Sequence, residues 1–118
     1  MKQFTIIREM WLRGDDGDQT FLLDDMGRRC CLGFYLQACG LTDEELQDVA
    51  VPAEVKPGLP EEARWLRSVE HEGPGKQVTR DSLLMEANDG SSVPEDVREE
   101  SIVELFKEQG IEVLFVDA

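Results

Sequence analysis

Apolar side chains recur early in the chain at Phe4, Ile7, Met10 and Trp11, with Ile6 beside them. That spacing predicts an amphipathic helix over residues 4–13, ended by Gly14. Asp15-Asp16-Gly17-Asp18 reads as a loop. The short run Phe21-Leu22-Leu23 predicts a strand, and Asp24-Asp25-Met26-Gly27 a turn after it. Residues 29–39 are apolar nearly all round, with Cys30, Cys31, Leu32, Phe34, Tyr35, Leu36 and Ala38, and Gly40 follows where a left-handed cap would sit. A helix without a polar face belongs inside a core, so this segment is expected as a buried central helix.

Thr42 with Glu45 forms the pattern of a capping box and opens a short acidic helix over 43–48. Pro52, Pro57, Gly58 and Pro60 make the next stretch irregular. Pro60-Glu61-Glu62 then starts a helical turn through Trp65 and Leu66, since proline suits the first helical position. Glu72-Gly73-Pro74-Gly75-Lys76 reads as a loop tip. Residues 82–87 fit either regular structure and are broken at Asn88-Asp89-Gly90. Ser92 is a cap for a last helix with Pro94 in its first turn, Glu95 and Asp96 at the positive end of its dipole, and an apolar stripe of Val97, Ile102, Leu105 and Phe106. Gly110 stops it. Ile111-Glu112-Val113-Leu114-Phe115-Val116 is rich in branched and aromatic residues and predicts a strand. The expected fold is α+β: a single domain spanning 1–118, with several helices packed on a short β-sheet around the helix at about 29–39.

Composition adds the electrostatics. The 118 residues carry 26 acidic and 12 basic side chains, a net charge of -14, with 41% hydrophobic residues and a single histidine. That apolar content fills a core, so wholesale disorder is excluded. No apolar run reaches the ~18 residues of a membrane span, and Met1-Lys2-Gln3-Phe4-Thr5 lacks the apolar stretch of a signal peptide. Three cysteines, Cys30, Cys31 and Cys39, fall within ten residues, an odd and crowded set that suits reduced thiols in a cytoplasm. The charge is lopsided. Residues 1–40 hold 5 basic and 6 acidic side chains, or -1, whereas residues 41–118 hold 7 and 20, or -13.

Two blocks resemble a known group. Trp11-Leu12-Arg13-Gly14, followed by Leu22-Leu23-Asp24-Asp25-Met26-Gly27-Arg28-Arg29-Cys30-Cys31-Leu32-Gly33, is similar to the opening of many short phage and prophage proteins. In these a "W-x-L-R-S-G" segment precedes an "L-R-x-D-G-x-x-C-C-L-G-V-L" block. Leu83-Leu84-Met85-Glu86-Ala87-Asn88-Asp89-Gly90 and the helix after it resemble the group's closing "L-x-x-x-N-D-x-G". Leu59-Pro60 and Trp65-Leu66 stand where the group carries "L-P-x-x-V-x-x-W-L". The chain departs from it in having Val93-Pro94-Glu95-Asp96-Val97 in place of "F-x-E-I-A", and in the added strand 111–116. The resemblance covers about half the chain. It implies a phage origin and a shared fold, and it carries no chemistry.

Several residue sets have chemical potential. Cys30 or Cys31, at a helix start near Arg28 and Arg29, has the setting of a lowered thiolate pKa, with His71 as base and Asn88 or Asp89 to orient it; the competing reading is that buried cysteines pack. Cys30, Cys31, Cys39 and His71 lack the C-x₂₋₄-C spacing of structural zinc, and Asp15, Asp16 and Asp18 lack the closing glutamate of a calcium loop. No metal or cofactor is expected. Asn88-Asp89-Gly90 is either a ligand-binding amide and carboxylate or a turn, and Trp11 and Trp65 are either core or interface anchors. Arg13, Arg28 and Arg29, if clustered, would suit a protein that sequesters a small anionic nucleotide.

The acidic surface carries the leading expectation. Direct nucleic-acid binding needs Lys and Arg against phosphates, so this charge instead suits a basic partner, itself nucleic-acid-binding. With the phage resemblance, the expected role is a non-enzymatic accessory protein in the host cytoplasm. It would inhibit a host defence system of the restriction or CRISPR kind by imitating a nucleic-acid backbone. The expected contacts are Glu44, Glu45, Asp48, Glu61, Glu62, Glu95, Asp96, Glu99 and Glu100. The rival expectation is a cysteine-dependent hydrolase or transferase using Cys30 or Cys31 with His71.

Overall fold

The computed structural model describes residues 3–13, 20–56, 58–73, 76–89 and 93–117, with residues 70–73, 76 and 77 described by backbone alone. The expected loop and calcium-like acids at 14–18, the tip residues Pro74 and Gly75, and Gly90 and the Ser92 cap lie outside them.

The opening segment is not a helix. Gln3–Ile7 forms strand β1, and a single 3-10 turn, Arg8–Met10, follows it. Phe4 and Ile6 point inward and Gln3 and Thr5 outward, a period of two that the same residues carry alongside the helical one. What decides between the periods is a partner more than a hundred positions away. β1 pairs in parallel with strand β4, Glu112–Val116, with Phe4 opposite Val113 and Ile6 opposite Phe115. The run at 21–23 is correspondingly not a strand of that sheet. It is extended chain with one isolated bridge, Leu23 to Gln47, held by Leu22 N–H to Val49 O (2.7 Å) on one side and by Cys30 N–H, just before the central helix, to Phe21 O (3.2 Å) on the other.

The central helix is α1, Cys31–Ala38, with every residue from Cys31 to Leu36 buried. Its third residue is where the backbone packs tightest. A Cβ added at Gly33 would stand 1.8 Å from the Leu22 carbonyl oxygen, so only glycine lets the 21–23 segment lie against the helix. Tyr35 of α1 meets Phe4, Trp65 and Phe106 at ring-centroid distances of 5.3, 5.6 and 5.1 Å, a four-ring cluster at the heart of the molecule.

The expected capping box is present: Glu45 N–H donates to Thr42 Oγ1 (3.2 Å) and Thr42 N–H to Glu45 Oε1 (2.9 Å), opening the short α2, Asp43–Leu46. Two 3-10 segments, Pro52–Glu54 and Glu61–Arg67, carry the proline-rich stretch. The expected loop tip is the end of an antiparallel hairpin, β2 (Val69–Gly73) with β3 (Lys76–Thr79), irregular between Val69 and His71. The ambiguous run is helical, α3, Arg80–Asp89.

The last helix is α4, Glu95–Lys107, with Pro94 as its N-cap rather than inside the first turn. Its buried stripe is Arg98, Ile102 and Phe106, whereas Val97, expected inside, is 45% exposed. Gly110, at φ 76°, ends it in the left-handed region. The result is a small single-domain α+β fold with its helices on a short parallel sheet. Among the described residues no helix is long and apolar enough to cross a membrane.

Candidate partner-binding surface

The cysteines sit where chemistry is hardest. Cys30 and Cys31 are 4% and 0% exposed, and the Cys31 thiol faces the Leu84 carbonyl at 3.8 Å. Burial pushes the Cys30 thiol up to about 11 and the Cys31 thiol well above its ordinary value, opposite to what a nucleophile needs. The two arginines expected to help are engaged elsewhere. Arg28 Nε donates to Asp24 Oδ2 (3.0 Å) and Arg29 Nη2 to Asp43 Oδ1 (2.6 Å). His71 lies in β2 opposite Val78, and its side chain is outside the described residues. All three cysteines are free, and among the described residues no three His, Cys, Asp or Glu side chains converge as metal ligands would.

Asn88 is the hub of the buried polar network. Its Oδ1 accepts from the Trp11 indole N–H (2.7 Å) and from the Cys31 backbone N–H (2.9 Å). Its Nδ2 donates to the Leu12 carbonyl and to Asp89 Oδ1, both at 2.9 Å. Asp89 in turn accepts from the Thr20 hydroxyl (3.1 Å). The first N–H of α1 is thereby capped by a side chain from α3, and all four hydrogen-bonding positions of the carboxamide are used. The tryptophan, double-cysteine and Asn-Asp blocks thus meet at one buried point. They are framework, and Asn88 and Asp89 are not aimed at solvent. Trp11 is core, 3% exposed; Trp65 is half-buried and gives its N–H to the Tyr35 hydroxyl (2.8 Å).

The acids divide into two groups. Glu99 is turned inward, where it takes Arg8 in a two-pronged pair, Nε to Oε2 (2.9 Å) and Nη2 to Oε1 (2.8 Å), tying α4 to the end of β1. These bonds, with the one to Asp117, raise the pKa of Arg8 further above its ordinary value. Glu95 lies 2.7 Å from Arg13 Nε, and Glu45 is spent on its capping box. Glu99 and Glu45 are thereby corrected from free contacts to acids with work inside the molecule, whereas Glu95 stays exposed beside Arg13. Asp24 and Asp81, both buried, hold Arg28 and Arg67. Of the remaining candidates Glu44, Asp48, Glu61, Glu62, Asp96 and Glu100 are exposed.

Asp96 and Glu100 belong to a longer row. They continue at four-residue intervals into Glu104 and Glu108, each of them exposed. At that interval the positions lie about 6 Å apart along one face, opposite the buried Arg98, Ile102 and Phe106. Like charges so placed destabilise a helix, and no ion pair within the described residues relieves these four. Glu104 and Glu108 continue the row at i, i+4, a spacing visible in the sequence but absent from charge counted by segment. Glu45 has its local signal in the capping box, whereas nothing local marks Glu99, because Arg8 lies 91 positions away. Arg13, Arg28 and Arg29 do not cluster, since each has its own carboxylate. Among family models, curated proteins and solved structures, none matches the chain.

Proposed function

We propose that this is a phage-encoded acidic accessory protein that binds a basic, nucleic-acid-binding protein in the cytoplasm of its host and keeps nucleic acid off it, as an inhibitor of a host defence system. The observation that carries the reading is the exposed row of Asp96, Glu100 and Glu104 on α4 with Glu108 at its C-cap, a like-charged line kept at a cost to helix stability. Five arginines, Arg8, Arg13, Arg28, Arg29 and Arg67, are matched to carboxylates of the same chain, which leaves the surplus negative charge facing outward. Such a field draws a basic partner quickly and with strong salt dependence. The resemblance of the Trp11, Cys30-Cys31 and Asn88-Asp89 blocks to phage proteins is the support for a phage origin. The packed thiols favour no cysteine chemistry.

The test compares two fourfold reversals to lysine with equal change in charge. One replaces Asp96, Glu100, Glu104 and Glu108, and the other Glu44, Asp48, Glu61 and Glu62. Capture of a basic protein from host lysate should be lost in the first set and retained in the second, and salt at about 0.5 M, where screening acts within ~4 Å, should release it. Equal loss in both sets would reduce the effect to net charge and refute the α4 row. Capture that survives both reversals and the salt would refute the reading as a whole.

A further inference from the structure

We infer a second site, cationic where the α4 row is acidic: a groove at Arg64 and Arg67 that takes a small ligand bearing a phosphate or carboxylate on an apolar body. The groove lies between the 3-10 segments Pro52–Glu54 and Glu61–Arg67. Pro52, Val55 and Leu59 form the walls of a cleft of about 450 Å³ that Arg64 and Arg67 also line. An adjoining cleft of about 530 Å³ shares Gly58, Leu59 and Arg64 and extends to Leu41, Pro60 and Glu45, whose carboxylate is engaged in the capping box. Their size is that of small-ligand sites, and apolar walls with one or two placed charges are what such sites are made of.

Arg64 is what singles the groove out. In a chain with 26 acids to 12 bases, arginines are expected to be engaged, and the other described arginines are, five with carboxylates and Arg80 and Arg98 through hydrogen bonds. Arg64 is exposed and has no hydrogen bond or ion pair within the described residues, although Glu61 stands three positions before it, a spacing at which helical pairs form. Arg67 commits Nη1 to Asp81 Oδ2 (2.7 Å), which fixes its stem while 48% of the side chain stays open. One guanidinium is therefore anchored and its neighbour is unengaged, both beside an apolar wall. A planar guanidinium fork recognises phosphate and carboxylate oxygens in pairs, and the wall holds the body that carries them. The chain's overall charge repels free anions, so the apolar body has to contribute to binding.

Calorimetric titration of the intact protein with phenyl phosphate, a 5′-nucleoside monophosphate, benzoate and inorganic phosphate tests this. The site predicts saturable binding of at least one of the three amphipathic probes, with inorganic phosphate weaker than that probe. Preference for the phosphate esters over benzoate, or the reverse, assigns the anionic group, and either supports the site. Arg64→Ala should weaken binding at least about tenfold without changing the melting temperature, because Arg64 holds nothing in the fold. Leu59→Glu should do the same by placing a negative charge on the wall. The fourfold α4 reversal should keep probe binding, which separates this site from the partner surface. No saturable binding by any amphipathic probe, inorganic phosphate binding as tightly as they do, or an Arg64→Ala protein that binds unchanged would each overturn the inference.

Discussion

The Trp11 indole N–H donates to Asn88 Oδ1 at 2.7 Å, joining positions 77 residues apart. The same oxygen accepts the first N–H of the central helix, and the same side chain's Nδ2 reaches the Leu12 carbonyl. One carboxamide therefore ties the segment after β1, the start of α1 and the end of α3 together. Because Asn88 is 1% exposed, removing it leaves its partners buried without water to replace it.

Asn88→Leu should therefore lower unfolding free energy by about 3 kcal/mol or more, since each orphaned buried polar group costs roughly 1–3 kcal/mol. Asn88→Asp keeps acceptor oxygens but loses the Nδ2 donor and sets a carboxylate beside Asp89, so it should be at least as damaging. Urea unfolding of both variants checks this, and a loss below about 0.5 kcal/mol would show that the hub is not structural.

Gly33→Ala should prevent the 21–23 segment from packing on α1, because the added Cβ meets backbone rather than a yielding side chain. Overpacking of this kind costs on the order of 3 kcal/mol. Gly40→Ala is the contrast. It has open space around its Cβ and only a φ of 105° to strain, so its loss should be smaller. Paired thermal melts measure the difference.

The thiols give a pH prediction. Cys30 ionises near 11 in the fold against 9.0 ordinarily, and Cys31 is raised too, both chiefly by burial. Between these values the unfolded chain has lost protons that the native state still holds, so stability falls as pH rises from about 9 to 11 and is indifferent to these groups below 9. At neutral pH, iodoacetamide should label Cys30 and Cys31 only at the rate of unfolding. Fast labelling of either in the native protein would contradict the packed arrangement.

Glu104→Lys should stabilise the protein by about 1 kcal/mol, because two like-charged i, i+4 neighbours become favourable pairs. The same change should weaken partner capture. A gain in melting temperature together with a loss of binding is the signature expected of charge kept for recognition. Loss of both would mean that Glu104 has a structural role.

Glu99→Gln should behave in the opposite way. Breaking its two-pronged pair with the partly exposed Arg8 should lower stability slightly, and partner capture should stay intact because the carboxylate faces β1. Chemical denaturation and the capture assay read the two effects separately.

Local sequence determined much of this protein. The all-apolar run made α1 a helix, Thr42 and Glu45 closed their capping box, and Gly110 ended α4, each through interactions within a few positions, and the branched residues after Gly110 marked β4 as extended chain. Tertiary structure decided the rest wherever two local patterns were compatible with the same residues. Residues 3–7 carry both a helical and a strand period, and only pairing with β4 selects the strand. The hairpin of β2 and β3 emerged from a stretch whose proline and glycines read as loop. Glu99 turns inward because Arg8 arrives beside it in space, whereas the outward row meets no cation among the described residues. Charge count is a property of composition, but the side a carboxylate faces depends on which cation the fold brings within 3 Å of it.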